Sequence, residues 1–172
     1  NDPNPAFVPW HTQAYYLLWR HGGGDHYRDF IFEMNDWLLP VQQWETARSP
    51  DVQGQFYDPD RPFGPPHASA TGVYLEGLID AYELAEICRD ENRMRKYGQS
   101  ILRGIRSTMQ LQFVDDIDMF YISRKNMVAG GLRTTVYDNV IRIDNIQHNL
   151  MAMMKIMQSS LLSKLPPQAG AS

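Results

Sequence analysis

The sequence predicts a mainly α-helical fold made of antiparallel αα-hairpins, with one small β-hairpin inserted among the helices. Three observations predict it: an internal repeat, apolar residues at helical spacing, and two short runs of strand-forming residues. The chain has 172 residues, a length that suits one domain and allows a buried core. We expect residues 1–172 to form a single helical-hairpin domain or part of a larger array.

Two segments align without a gap when each residue n is set against residue n+67. The aligned positions share apolar character: Ala14 with Ala81, Leu17 with Leu84, Phe30 with Tyr97, and Leu38 with Ile105. Each segment contains an apolar helix, a short polar break and a second apolar helix. The repeat predicts two αα-hairpins, at about residues 11–44 and 67–113.

Short polar breaks separate the two helices of each predicted hairpin. The first break, His21 to Asp25, contains three glycines that can end a helix in the left-handed conformation, and Asp25 can cap the next helix. The second break, Arg89 to Asn92, places Asn92 in the matching position. Both breaks are short enough to make the two helices antiparallel neighbours.

Apolar residues recur at spacings of three and four, which predicts one buried face on each helix. The stripes are Tyr27, Phe30, Ile31, Met34, Trp37 and Leu38 in the second helix, Leu75, Leu78, Ile79 and Tyr82 in the third, and Met94, Tyr97, Ile101, Leu102 and Ile105 in the fourth. We predict that these faces form the core.

The segments outside the hairpins have distinct patterns. Residues 45–66 combine prolines with aromatic residues, which predicts a long ordered loop. A β-hairpin is predicted at about 118–137, with strands at Met119 to Ile122 and Leu132 to Tyr137.

A final helix is predicted at about 139–163, followed by a tail at 164–172. Ile143, Ile146, Leu150, Met153, Met154, Met157 and Leu161 form its apolar stripe. Because prolines follow this helix, its hairpin partner is missing, and the predicted array holds two complete hairpins and one unpaired helix.

Composition excludes several classes of function. The formal net charge is −4 and the chain lacks a long run of Lys or Arg, so we expect no nucleic-acid partner. No apolar run approaches the roughly 20 residues that cross a bilayer, which predicts a soluble chain. Cys88 is the only cysteine, so no intrachain disulfide can form. The first residue is Asn1 rather than Met, and we expect a processed or truncated, and in one reading exported, product.

The alternation of helix, short turn and helix, with long inserts before every other helix, is carried by residues 67–78 and the hairpin that continues to Ile105. It resembles the (α/α) toroids, the architecture of six-hairpin glycosidases and sugar epimerases, over residues 10–163. Such toroids use about twice as many hairpins to close a ring, so the resemblance implies a fragment, a chain that pairs with another chain, or a short open array of solenoid type. Open ends expose apolar faces, which implies a protein partner.

In toroids of this kind, one helix of each pair lines the interior, and the loops that enter those helices form a rim where substrates bind. The resemblance therefore implies a carbohydrate or uronate substrate at a rim built from three places. They are Trp10 with His11, the entry at His67, and Tyr137 with Asp138, Arg142, Asp144 and His148. Aromatic rings at Trp10, Tyr57 and Tyr74 would stack against sugar rings.

Asp144 and His148 lie one turn apart on a polar stripe that also includes Lys155. A carboxylate beside an imidazole can act as an acid/base pair, because it holds the ring and raises its pKa. An exposed helix face with a local ion pair explains the same spacing.

Paired carboxylates are the second candidate, since glycoside chemistry uses one acid and one base or nucleophile. Glu76 and Asp80 share a helix face among aromatic residues, and Asp138 is a further candidate. Arg133, beside two threonines, can hold the carboxylate of a sugar acid, although a tight turn with a surface arginine fits equally well.

His11, His67 and His148 lack the spacing of known metal motifs, so we predict neither a metal nor a cofactor. The leading prediction is a carbohydrate- or uronate-processing domain, or part of one, with acid/base chemistry at the rim. The alternative is a non-catalytic helical interaction subunit of a larger assembly, in which nine methionines suit adaptable packing. The sequence leaves open whether the chain is an enzyme.

Overall fold

The computed structural model describes residues 5–45, 47, 49–57 and 67–164. It is mainly helical with one two-stranded antiparallel sheet, as predicted. The elements are α1 (Val8–Arg20), α2 (Asp25–Leu38), α3 (Ala68–Ile87), α4 (Glu91–Gln110), α5 (Lys125–Val128), β1 (Arg133–Thr135), β2 (Asp138–Ile141) and α6 (Ile143–Gln158). Residues 58–66 of the predicted loop and 165–172 of the predicted tail lie outside the described residues.

The two predicted hairpins form, and their turns keep the 67-residue spacing of the repeat to within one position. Helix α1 ends at Arg20 and α3 ends at Ile87, while α2 begins at Asp25 and α4 begins at Glu91. The first turn uses Gly22 at φ 93°, a conformation that favours glycine. Adjacent helices α1 and α2, and α3 and α4, are therefore antiparallel.

The predicted capping residues are wrong by one or two positions. Asp25 lies inside the first turn of α2, whose cap is Gly24. Asn92 lies inside α4, whose cap is Asp90, and the Asp90 carboxylate accepts a hydrogen bond from the Arg93 amide at 3.0 Å. An aspartate at the earlier position satisfies the free amides first, so the helix starts before Asn92.

Helices α1, α3 and α6 run in the same direction and form one layer, with α3 between the other two. Pro9 lies beside Gly77 and Tyr16 bonds Glu83, which makes α1 parallel to α3. Contacts from α6 also advance with the sequence of α3, from Asn149 at the carbonyl of Ala68 to Ser160 at Glu86. Helices α2 and α4 form a second layer on one side.

Helix α3 is the centre of the fold, because sixteen of its twenty residues are buried. Two glycines allow its neighbours to approach closely. A β-carbon at Gly77 would overlap Pro9 of α1, and one at Gly72 would lie 2.8 Å from the backbone nitrogen of Asn149 on α6. Helix α3 therefore has no fully solvated face, and its polar residues need partners from adjacent helices.

The predicted apolar stripes of α3 and α4 enter the core, including Leu75, Leu78, Tyr97 and Ile101. The stripe of α2 is divided: Ile31 and Leu38 are buried, whereas Phe30 and Trp37 are 44% and 36% exposed. The core therefore ends at α2, where large rings remain on the surface.

The described part of the predicted ordered loop packs onto the hairpins. Gln42 and Phe56 form an isolated antiparallel bridge, and Phe56 is buried against Tyr74 with 5.1 Å between the ring centroids. The Gln42 side-chain amide, just before the loop, donates to the backbone carbonyls of Gly54 in the loop and Ser100 on α4, both at 2.9 Å, which ties the loop to α4.

The β-hairpin exists, but its predicted first strand is wrong. Met119 to Ile122 forms a turn, and the real strands are β1 and β2, which pair across Val136 and Tyr137. The Asp115 carboxylate accepts hydrogen bonds from the amides of Ile117 and Asp118, which closes a turn where an extended start was predicted. The second strand takes residues assigned to the final helix, so α6 begins at Ile143 rather than near 139.

Helix α6 buries a face of two asparagines and two apolar residues and exposes several of its large apolar residues. Its buried residues are Asn145, Asn149, Ala152 and Ile156. Ile143 is 86% exposed, Leu150 57% and Met157 75%. The Asn149 amide is held inside by hydrogen bonds to the carbonyls of Ala68 and Asn145. No described helix has the length and apolar character needed to cross a membrane.

Candidate functional site

Glu76 of α3 and His148 of α6 form a close pair. Oε1 of Glu76 lies 2.7 Å from Nδ1 of His148, and their side chains are 9% and 19% exposed. A carboxylate at Nδ1 fixes the orientation and tautomer of an imidazole, so proton exchange falls to Nε2. The pair thus has the chemical form of an oriented general acid or base.

One turn further along α3, Asp80 pairs with Lys155 of α6. The Lys155 ammonium lies 2.6 Å from Oδ1 of Asp80 and donates a hydrogen bond to the backbone carbonyl of Glu76 at 2.8 Å. It also lies 3.5 Å from Oε1 of Gln13 on α1. Burial raises the pKa of Asp80 to about 6, although Lys155 acts in the opposite direction.

The spacing of these residues explains why the two pairs form together. Glu76 and Asp80 are four residues apart on α3, and His148 and Lys155 are seven apart on α6, so each set faces one direction. Because the helices are parallel and close, the four side chains make two successive contacts. We call Glu76, Asp80, His148 and Lys155 the α3–α6 polar cluster.

A third acid, Glu83, extends the line of acids on α3 but turns to α1. The Tyr16 hydroxyl donates to Oε2 of Glu83 at 3.1 Å and accepts from Arg20 at 3.1 Å. Burial raises the pKa of Tyr16 to about 12, so this phenol stays protonated. The acids of α3 therefore connect it to both of its neighbours in the layer.

The pairing of Asp144 with His148 that their one-turn spacing predicts does not form. Asp144 accepts two hydrogen bonds from Arg142, at 2.9 and 2.8 Å, while His148 turns to Glu76. Burial acts to raise the pKa of Asp144, but bonds from Arg142 and Ser69 outweigh it, and the pKa lies below its ordinary value. Asp144 is thus a poor proton donor at neutral pH.

His67 caps helix α3. Its Nδ1 accepts a hydrogen bond from the amide of Ala70 at 3.1 Å. Burial, followed by the nearby charge of Arg142, lowers the pKa of His67, which favours the neutral ring that this cap requires. His67 therefore has a structural task at the helix start.

The other predicted aromatic residues are spread over the surface and the core. Trp10 is 51% exposed, and His11 stacks between Phe7 and Tyr15 at centroid distances of 6.0 and 5.7 Å. Tyr74 is buried, which raises its pKa to about 12. Tyr57 is half-buried in the loop, where its carbonyl accepts from Gln43 at 2.7 Å. Trp10 is thus the most exposed ring predicted for sugar stacking on the hairpins.

The predicted residues of the β-hairpin lie in local contacts. The Asp138 carboxylate accepts from the amide of Val140 at 3.0 Å, and Tyr137 is 69% exposed. Arg133 has a 13% exposed side chain that lies 3.7 Å from Asp118 and 4.9 Å above the centroid of the Phe113 ring. These contacts favour a role of Arg133 in packing over the capture of a sugar acid.

The sequence places Lys155 on the polar stripe of the last helix, and the spacing of that stripe does not predict its contact with Asp80. The sequence did indicate that such a contact exists. Helix α3 is largely apolar on all sides, so its acidic residues need partners from neighbouring helices. Among the described residues, no three metal-ligating side chains cluster, so His11, His67 and His148 do not meet. Comparisons of the chain with protein-family models, curated proteins and solved structures gave no match.

Proposed function

We propose that this chain is a helical interaction unit that packs against further protein through apolar faces at the two ends of its layers. The observation that supports the proposal most strongly is helix α6, which buries two asparagines and exposes five of its large apolar residues. Ile143, Leu150 and Met157 are seven residues apart, the repeat of helices that pack along their length. Exposed apolar stripes of this kind mark contact surfaces in soluble proteins.

The opposite end of the array supports the same proposal. Helices α1 and α2 leave a hollow of about 440 Å³ lined by apolar and aromatic side chains, including Phe7, Phe30, Met34 and Trp37. Phe7 is 51% exposed and Phe30 is 44% exposed. Both ends of the layers thus present surface that is suited to burial.

Molar mass in solution tests this function. We expect protein purified under native conditions to exceed the 19.9 kDa of one chain, either by self-association or with a second polypeptide at fixed stoichiometry. Glutamate at Leu150 and Met157 together, or at Phe30, should reduce that mass. Ile117→Glu, at an 81% exposed position, is the matched control. A single 19.9 kDa species at all concentrations, unchanged in every variant, contradicts the proposal.

A second candidate function is acid/base chemistry on a carbohydrate or uronate, and the Glu76–His148 pair is the observation that favours it. In this function His148 exchanges the proton through Nε2, Glu76 orients the ring, and the exposed ring of Trp10 stacks on sugar. The cluster also supplies the cationic Lys155 beside the pair.

Proton exchange tests the second candidate directly. Oligosaccharides and uronides incubated with the chain in deuterated water should show new reducing ends or deuterium incorporation by NMR. His148→Ala should abolish that signal while the melting temperature stays nearly unchanged, and Glu76→Gln should reduce it. This candidate is contradicted if the wild type shows no reaction and His148→Ala lowers the melting temperature. The Glu76–His148 pair is then a packing contact.

A further inference from the structure

The exposed face of α6 borders a groove whose other wall is α4. Ile105 and Met109 of α4 face Ile146, Leu150 and Met153 of α6 across a hollow of about 360 Å³. Leu132, beside the β-hairpin, also lines this hollow. Methionines on both walls make the surface adaptable to a partner side chain.

This groove continues along α4 beyond the first hollow. A second hollow is lined by Met94 and Leu102 of α4, by Tyr82 of α3 and by Leu161 just after α6. Positions 94, 98, 102, 105 and 109 of α4 line the two hollows at spacings of three and four, so they belong to one helix face. At 1.5 Å per residue this face spans about 22 Å, the length of a four-turn helix.

The molecule itself shows how a helix fills the equivalent place. Helix α2 packs antiparallel to α1 and also reaches α4, where Asp36 of α2 bonds Arg93 and Tyr97. Helix α4 packs in the same way on α3. Within the described residues, α6 has no such antiparallel helix, and the α4–α6 groove lies where that helix would be.

We infer that the α4–α6 groove binds an amphipathic helix of a partner protein, antiparallel to α6 and parallel to α4. This inference rests on the proposed interaction function. Large aliphatic side chains at every third or fourth position of that helix would fill the two hollows. The resulting contact continues the layer that α2 and α4 begin.

The charges at one end of the groove specify the first turn of the partner helix. A helix parallel to α4 starts beside Arg95 and Lys164, which line the second hollow. Arg95 hydrogen-bonds the neutral Asn92, so its charge is available to an acid, whereas Lys164 pairs with Glu86. Acidic residues in the first turn of a helix also interact favourably with the positive end of its dipole. The partner helix therefore begins with Asp or Glu.

A designed peptide tests the groove with the whole chain. The probe is a fluorescein-labelled 18-residue helix with Leu at every third and fourth position and Glu in its first turn, and its control is a scrambled peptide of equal composition. Anisotropy should show binding of the probe alone. Leu150→Glu and Met109→Glu, at positions 57% and 62% exposed, should each weaken binding about tenfold or more. Ile117→Glu should bind as the wild type does.

Direction is tested by exchanging charges. Arg95→Glu should weaken the probe with an acidic first turn and strengthen a version with Lys there. Equal effects on both versions contradict the orientation that we infer. Circular dichroism melts of each variant verify that the fold is retained.

Several outcomes overturn the inference and separate it from the proposed function. Equal binding of the scrambled peptide, or full binding by Leu150→Glu, excludes the groove as the site. If Phe30→Glu is the only variant that loses binding, the peptide binds at the α1–α2 end. The inference then fails, while the proposed interaction function stands. A wild-type dimer that Leu150→Glu dissociates identifies a second copy as the occupant. Absence of both peptide binding and association removes both proposals.

Discussion

The ammonium group of Lys155 lies 2.6 Å from Oδ1 of Asp80 and also donates to the backbone carbonyl of Glu76. Asp80 has a side chain only 8% exposed, so its charge is withdrawn from water. A buried carboxylate is costly without an opposite charge and hydrogen bonds. This lysine therefore determines whether α6 can pack on the acidic line of α3.

Lys155→Met should destabilise the fold by roughly 3 kcal/mol at pH 7, because it leaves a buried charge unpaired. Asp80→Asn combined with Lys155→Met should recover much of that loss, since both charges are then gone. Urea unfolding at pH 7 measures the three free energies of unfolding. Equal losses in the single and double variants would show that the lysine stem, rather than its charge, stabilises the contact.

Asp80 also predicts a pH dependence of stability. Its pKa is about 6 in the fold against an ordinary value of 3.8, so between these values the folded state binds more protons than the unfolded state. The contribution of Asp80 to stability is therefore highest below pH 4 and falls as the pH rises through 6, by on the order of 3 kcal/mol. Denaturation of wild type and Asp80→Asn from pH 3.5 to 7.5 measures it, and a constant difference between them contradicts the assignment.

The repeat was readable in the sequence because it is a local pattern. Leu17 and Leu84 each lie three residues before the end of their helix, and α1 and α3 end 67 positions apart, although Leu17 is exposed and Leu84 is buried. The buried face of α6 could not be predicted from the sequence. The spacing of polar and apolar residues defines two faces of the helix but does not show which of them packs on α3. The structure selects the face with Asn149, whose amide replaces water by bonding backbone carbonyls of two helices.

The sequence predicted several residues of the candidate site but not which of them are in contact. Glu76 and His148 were both candidates, but they lie 72 positions apart and meet only because α3 and α6 are parallel neighbours. Asp144 was the closer choice for His148 in sequence. The guanidinium of Arg142 captures it through two hydrogen bonds, a geometry that spacing on one helix does not reveal.

Gly77→Ala should destabilise the contact between α1 and α3 by about 1–3 kcal/mol, because the added methyl group overlaps the backbone of Pro9. Gly98→Ala is the matched control on α4, where the nearest atom is the movable Leu161 side chain at 3.0 Å. There the gain in helix propensity should offset the contact. Thermal unfolding of both variants measures the difference, and equal melting temperatures would contradict the close approach at Pro9.

Arg93 links α4 to α2, and its replacement by lysine should weaken that link. Its guanidinium donates to Asp36 at 3.0 and 2.8 Å and to Asp90 at 2.7 Å, and it lies 4.4 Å from the Phe32 ring centroid. Lysine keeps the charge but cannot make these planar contacts together. Because the groups are about one-third exposed, solvent screening limits the expected loss to about 1 kcal/mol. Urea unfolding of Arg93→Lys, Asp36→Asn and the double variant measures the coupling. Strictly additive losses would mean that α2 and α4 are held together by their apolar contacts alone.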